Sequence, residues 1–248
     1  MLIDIWTMVG KEWKEMLGRR GGWRAGLLPM LVFPVLLMGI VIPAQAGLEW
    51  VKWIGMVSVG FWLPQLLVLS VVADSFAGER ERHTLETLLA TRLSDQSILL
   101  GKLAAAVSYA CVSSLISAVV SLITVNSLEL AAGRPLVCFS AEMIVAMGVF
   151  AVLTSGLAAG LGILVSLRSP TVRQAQQTLS MATLFITIGL SILVGATPQS
   201  WIQAIAHGIQ AAGPILVALV SVGLLILLDL GLVLIALARF RRAQLILD

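Results

Sequence analysis

ADSFAGERERHTLETLLATRLSDQSILLGK, residues 73–102, is the long polar interruption in a chain that otherwise runs almost continuously apolar. It carries Asp74, Glu79, Arg80, Glu81, Arg82, His83, Glu86, Arg92, Asp95 and Lys102. Between the charges, Leu85, Leu88, Leu89 and Leu93 recur at helical spacing. The spacing predicts an amphipathic helix over 79–93, lying at a membrane surface between two spans. Such a helix turns its apolar stripe to lipid or to a partner protein.

The rest of the chain supplies that membrane. Of 248 residues, 59% are hydrophobic and 12% charged, and the mean hydropathy is +1.02. A soluble domain carries about a quarter charged residues. The composition therefore predicts an all-α integral membrane protein with a single transmembrane domain over 1–248. The net charge of +3 gives no reason to expect nucleic acid, because the basic residues sit at the ends of apolar runs. Cys111 and Cys138 are not expected to form a disulfide framework. Ala44-Gln45-Ala46 resembles a signal cleavage site, but the run before it is long enough to span and begins late, so it is read as a transmembrane helix.

Taken in order, residues 1–20 read as an interfacial helix. Leu2, Trp6, Val9, Trp13 and Met16 form one stripe, with Asp4, Lys11, Glu12, Lys14 and Glu15 opposite. Trp6 and Trp13 are the expected anchors at headgroup depth. Gly18-Arg19-Arg20-Gly21-Gly22 breaks that helix. Six transmembrane helices are predicted, at 25–44, 54–76, 98–125, 139–167, 175–196 and 214–238. Pro29, Pro34 and Pro43 predict a kink in or near the first. The third is rich in Ala and Ser, and the fourth holds Gly156-x-x-x-Gly160, a pattern that lets helix backbones approach closely. Between Pro198 and Pro214, Trp201, Ile202, Ile205 and Ile209 share a stripe. That segment is too short and polar to span, and reads as a re-entrant or surface-lying outer element before span six.

Fourteen of the 16 lysines and arginines fall on the side of the termini, and only Lys52 and Arg134 fall on the other. The excess of positive charge predicts both termini and the 73–102 stretch in the cytoplasm of a cell in whose plasma or inner membrane the chain is embedded. Asp229 lies inside the last span. An intramembrane carboxylate is costly unless paired, wet or protonated. It reads either as a pathway or gating residue or as a structural acid bonded to a neighbouring Ser or Thr.

Catalytic signatures are missing. The nearest approach to a phosphate-binding loop, Gly101-Lys102, has Gln96 where the first glycine belongs and Leu103 after the lysine. No His-Glu-x-x-His or Gly-x-Ser-x-Gly pattern occurs. The chain is thus expected not to be an enzyme and to hold no metal or cofactor itself.

The run from Ala73 to Thr91, followed by Leu100-Gly101-Lys102, resembles the signature of the ABC-2 type permeases, the membrane subunits of type V ABC exporters. The family pattern is an acidic residue, Glu-Arg-Glu, a small residue, Thr-Leu-Glu-x-Leu-Leu and then Leu-Gly-Lys. His83 stands where the family usually has Gly, which puts the turn before Thr84 in question. The resemblance implies a coupling element formed by Glu79, Arg80, Glu81, Arg82, Thr84, Leu85, Glu86, Leu88 and Leu89. It implies a second copy of the permease and two copies of a separate ATPase subunit, which binds the ATP and Mg. It implies export of a hydrophobic or amphipathic substrate. Alternatives are a permease transmitting work to an extracytoplasmic partner, as in metal-centre assembly, and a standalone secondary transporter using Asp229.

Overall fold

The computed structural model describes residues 1–18, 32–33, 35–52, 68–69 and 71–240, and every regular element among them is helical. Helix α1 is Leu2–Gly18. A π-helical segment, Val35–Val41, runs into α2, Ile42–Ala46, and α3 is Leu48–Lys52. Residues 71–81 form α4, and α5 is Leu85–Leu89. The long helices follow: α6, Asp95–Ala131, α7, Ala141–Ser166, and α8, Val172–Ala196. Then come α9, Gln199–Ala212, and α10, Pro214–Arg239.

Helices α6, α7, α8 and α10 are long and apolar enough to cross a membrane, so the chain is a multi-pass membrane protein. They overlap the stretches expected at 98–125, 139–167, 175–196 and 214–238, with α6 running on to Ala131. Of the two earlier spans, residues 25–31, 34, 54–67 and 70 lie outside the described residues, as do the expected break at 19–22 and the tail beyond 240. Helix α9 has 14 residues, about 21 Å of helix, short of the hydrocarbon thickness of about 30 Å.

The molecule is assembled on α6. Its 37 residues make a rod about 55 Å long. One of its faces is small and buried: Ala105, Ala106, Tyr109, Ala110, Ser113, Ser117 and Ser121. Small side chains let neighbouring backbones come close. The serines fold their hydroxyls back onto their own helix where they can, as Ser113 does to Ala110 O at 2.9 Å. Against α6 pack α1, α7 and the π-helical segment. At that last contact Gly39 sits under α6, where a Cβ would lie 3.0 Å from Val120, and Thr124 Oγ1 donates to Gly39 O at 2.8 Å. The turn from α6 to α7 is closed by Asn126, which donates to Val137 O at 2.9 Å and accepts from Val137 N at 2.8 Å.

Gly156 and Gly160 face α10 of the same chain, where added Cβ atoms would meet Asp229 Oδ1 at 2.9 Å and Leu232 Cβ at 3.1 Å. The small-residue pair therefore serves packing within the chain.

Two local expectations change. The helix expected over 79–93 is divided: α4 ends at residue 81, His83 takes a left-handed φ of 55°, α5 occupies five residues, and Ser94 caps α6 by accepting from Ser97 N. The leucine spacing is continuous, but the backbone has to reverse between the ends of α4 and α6. Helix α1 turns only the later part of its expected stripe inward. Val9 is buried and Trp13 and Met16 pack on the core beside the buried Met8 and Glu12, whereas Leu2 and Trp6 are exposed. Glu12 had been assigned to the watery side, and a basic partner on α6 brings it in.

Candidate functional site

The signature residues converge where α1, α4, α5, α6 and the end of α7 meet. Lys102, in the second turn of α6, is 3% exposed. Its ammonium donates to Glu12 Oε1 at 2.7 Å, to Ser75 O at 2.9 Å and to Glu79 Oε1 at 3.0 Å. Three donors meet three acceptors, which satisfies the lysine completely. Its Nζ also lies 5.1 Å from the centroid of the Phe76 ring. One side chain on α6 thus binds α1 through Glu12 and α4 through Glu79 and Ser75.

Lys11 closes the cluster from its wetter side, 2.6 Å from Glu79 Oε1, 3.6 Å from Glu12 and 3.0 Å from Glu15. Burial opposes its charge, but the hydrogen bond it donates to Glu79 and the carboxylates around it prevail and hold the ammonium above the ordinary lysine value. Glu12, Glu15 and Glu79 bring carboxylate oxygens together as a metal site would. Here Lys11 and Lys102 already occupy that place, each within ion-pair distance of two or more of these carboxylates.

The neighbouring signature residues brace the same junction. Gly101 lets α1 lie directly on α6, since a Cβ there would come 2.5 Å from the Cβ of Met8. Arg80 donates to Ser169 O at 2.8 Å and Leu167 O at 3.1 Å, placing a cation on the carbonyl end of α7. Ser166 Oγ donates to Ala73 O at 2.9 Å and accepts from Phe76 N and Ala77 N, at 3.2 and 3.0 Å. Gly78 sits against the Asp74 carboxylate, leaving no room for a Cβ. Thr84 Oγ1 donates to Glu79 O at 3.3 Å, tying the turn to α4.

Leu85 and Leu88 are buried in one apolar cluster with Met8, Phe76, Ile98, Leu99 and Tyr109. Their side chains therefore serve this chain's own interior, and Leu89's side chain lies outside the described ones. Glu79 is likewise internal, at 2% exposure. What the segment presents to its surroundings is Glu81, Arg82, His83, Glu86, Thr87 and Arg92. Arg82 also makes an exposed ion pair with Asp74 at 3.4 Å.

The two tryptophans diverge. Trp6 is exposed. Trp13 donates from Nε1 to Ser108 Oγ at 2.9 Å and stands 6.4 Å, centroid to centroid, from Tyr109, so it fastens α1 to α6. Asp229 is half-buried against Gly156, and its Oδ1 has no hydrogen-bond partner among the described residues. Cys111 and Cys138 are free thiols.

Glu12 and Ser166 were not singled out from sequence. Glu12 had a signal: Lys102 is a cation inside the start of an apolar helix, and such a charge needs carboxylates from elsewhere.

A comparison with curated proteins finds no significant match. The family described as ABC-2 type transporter matches residues 4–209, which takes in α1, the signature segment and all of α6, α7 and α8. Members of that family are membrane permease components, generally non-catalytic, that normally work with a separate ABC ATPase. By that match over most of its length, the chain belongs to the ABC-2 type transporter family.

Proposed function

We propose that the chain is the permease subunit of an exporter for a hydrophobic or amphipathic substrate, driven by ATP and Mg bound in two copies of a separate ATPase subunit. In this reading a second permease copy completes the pathway, lipid surrounds the spans, and the termini and α5 lie on the cytoplasmic side of the plasma or inner membrane.

The observation that carries the reading is the division of labour in residues 79–92. Glu79, Arg80, Leu85 and Leu88 hold the segment to α1, α6 and α7, while Glu81, Arg82, Glu86 and Arg92 stay outside. A loop that only tethered an ATPase would pass no displacement to the spans. A segment bolted to three helices, with a charged outer rim, can receive a push and move helices with it. Rim charges set register and encounter with a partner. The reading favours an ATPase-driven permease over a standalone carrier built on Asp229, whose carboxylate packs on Gly156 within the chain.

The test is affinity purification in mild detergent with identification of the bound subunits, on the parent and on Glu81→Lys/Glu86→Lys. An ABC ATPase should accompany the parent. The double variant should keep its abundance and elution while ATPase recovery falls about ten-fold. Parental recovery together with parental export from the double variant would remove the coupling role of this segment.

A further inference from the structure

At the same end of the bundle as α5, a cleft of about 440 Å³ opens between the end of α7, the start of α8 and the end of α10. Its floor and walls include Leu164 and Ile235, and its rim carries Arg168, Gln174, Thr178 and Arg239. We infer that this cleft is a site for an anionic phospholipid, with the headgroup phosphate between Arg168 and Arg239 and the acyl chains along Leu164 and Ile235.

Arg80 explains why Arg168 is available. It takes the carbonyls on either side, Leu167 O and Ser169 O, and so fixes the α7–α8 turn with Arg168 facing out. Arg239 is the last residue of α10 and is exposed. Neither guanidinium makes an ion pair or side-chain hydrogen bond among the described residues, whereas Arg80, Arg82 and Arg134 all do. Two cations without an ion-pair partner among the described residues would repel each other across the rim, and a phosphate between them removes that repulsion.

The apolar part of the cleft selects the form in which the phosphate arrives. Ile235 is 48% exposed on a helix that crosses the membrane. A free phosphate or nucleotide would leave that wall wet, whereas a lipid covers it. Basic pockets between spans near the membrane surface suit anionic headgroups for this reason. The proposal rests on the membrane placement of the chain and not on its ATPase partner, so its failure and that of the coupling reading are separable.

The test uses the full chain in neutral detergent, with lipid retention counted by native mass spectrometry after addition of dioleoylphosphatidylglycerol or dioleoylphosphatidylcholine. The parent should retain the anionic lipid about 30-fold better, the worth of two basic contacts at a membrane surface. Arg168→Gln/Arg239→Gln should lose most of that preference, and the charge-matched Lys14→Gln/Arg134→Gln should keep it. No preference in the parent, an unchanged preference in the first variant, or an equal loss in the second would overturn the proposal. So would displacement of the lipid by millimolar inorganic phosphate, which would mean a site for free anion. Should the first variant fold poorly, a phosphatidylglycerol with a photoreactive acyl chain decides on the unaltered protein. Labelling of peptides containing Leu164 or Ile235 is expected, and labelling confined to other helices overturns the site.

Discussion

Two sides of this molecule are built on opposite principles. Around the start of α6, charged and apolar side chains from α1, α4, α5 and α7 are buried together, and Lys102, Glu79 and Glu12 are each under a tenth exposed. Across the bundle, α8 and α10 present Leu184, Phe185, Ile186, Leu219, Leu227 and Leu234 to the outside, each more than half exposed. The first side completes itself from its own chain. The second is apolar all along its open face and depends on lipid or another protein to cover it. A substitution should therefore be felt in proportion to its closeness to the Lys102 junction rather than to its depth in the membrane.

The largest effect is expected at the junction's centre. Lys102→Met leaves Glu12 and Glu79 buried with only the partly exposed Lys11 as a cation, a loss of about 3–5 kcal/mol. Thermal unfolding of the detergent-purified chain should show it as a sharply lowered midpoint. An unchanged midpoint would mean that the two sides do not differ as described.

Leu88→Asp comes next, at about 3 kcal/mol, because it puts a charge into the cluster around Phe76 and Tyr109. Leu227→Asp, on the open face, should leave the detergent-solubilised fold much less affected, and a comparable loss there would erase the contrast.

A glycine pair sharpens the comparison on geometry alone. Gly101→Ala drives a methyl into Met8 and should cost about 1–3 kcal/mol. Gly189→Ala on α8 meets nothing within 4 Å and should be neutral or slightly stabilising. Chemical denaturation of the two variants side by side is the measurement.

His83→Gly should stabilise by about 1 kcal/mol, since a left-handed φ is costly for a residue with a Cβ and free for glycine. No gain would show that the His83 side chain compensates its own backbone.

The smallest effect concerns pH. Lys11 has its ammonium held above the ordinary value of 10.5 by Glu79, Glu12 and Glu15 against the opposing effect of burial. A raised value stabilises fully below the unfolded value and fades as pH rises through the folded one. The contribution of Lys11 is thus complete at neutral pH and declines above about 10.5, modestly because the side chain is partly exposed. Lys11→Gln should flatten the alkaline fall in melting midpoint that the parent shows.

Much of the open side was legible in the sequence, because a lipid-facing helix needs only apolar length, and α7, α8 and α10 follow their apolar runs. The signature segment was legible as a place. Its internal organisation was not, for two physical reasons. Leu85, Leu88, Leu89 and Leu93 keep helical spacing whether or not the backbone turns at His83, so periodicity could not reveal the break. Glu79 and Glu81 are two residues apart on a chain reading Glu-Arg-Glu-Arg, and nothing local says that the first is buried on Lys102 while the second faces out. That choice is made by α6, more than twenty residues away. The same holds for α1, where Glu12 looked like a watery residue until Lys102 was placed beside it.

The length of α6 has a mechanical consequence. Its head is clamped by Lys102, and some 35 Å further on Asn126 fastens its far end to Val137 in the connection to α7. A stiff rod held at the head is a lever. A tilt of about 5° over its length of about 55 Å carries the far tip about 5 Å, a distance comparable to the width of a helix turn. A change too small to disturb any contact at the clamp therefore reaches the far end of α6 as a movement of several ångströms.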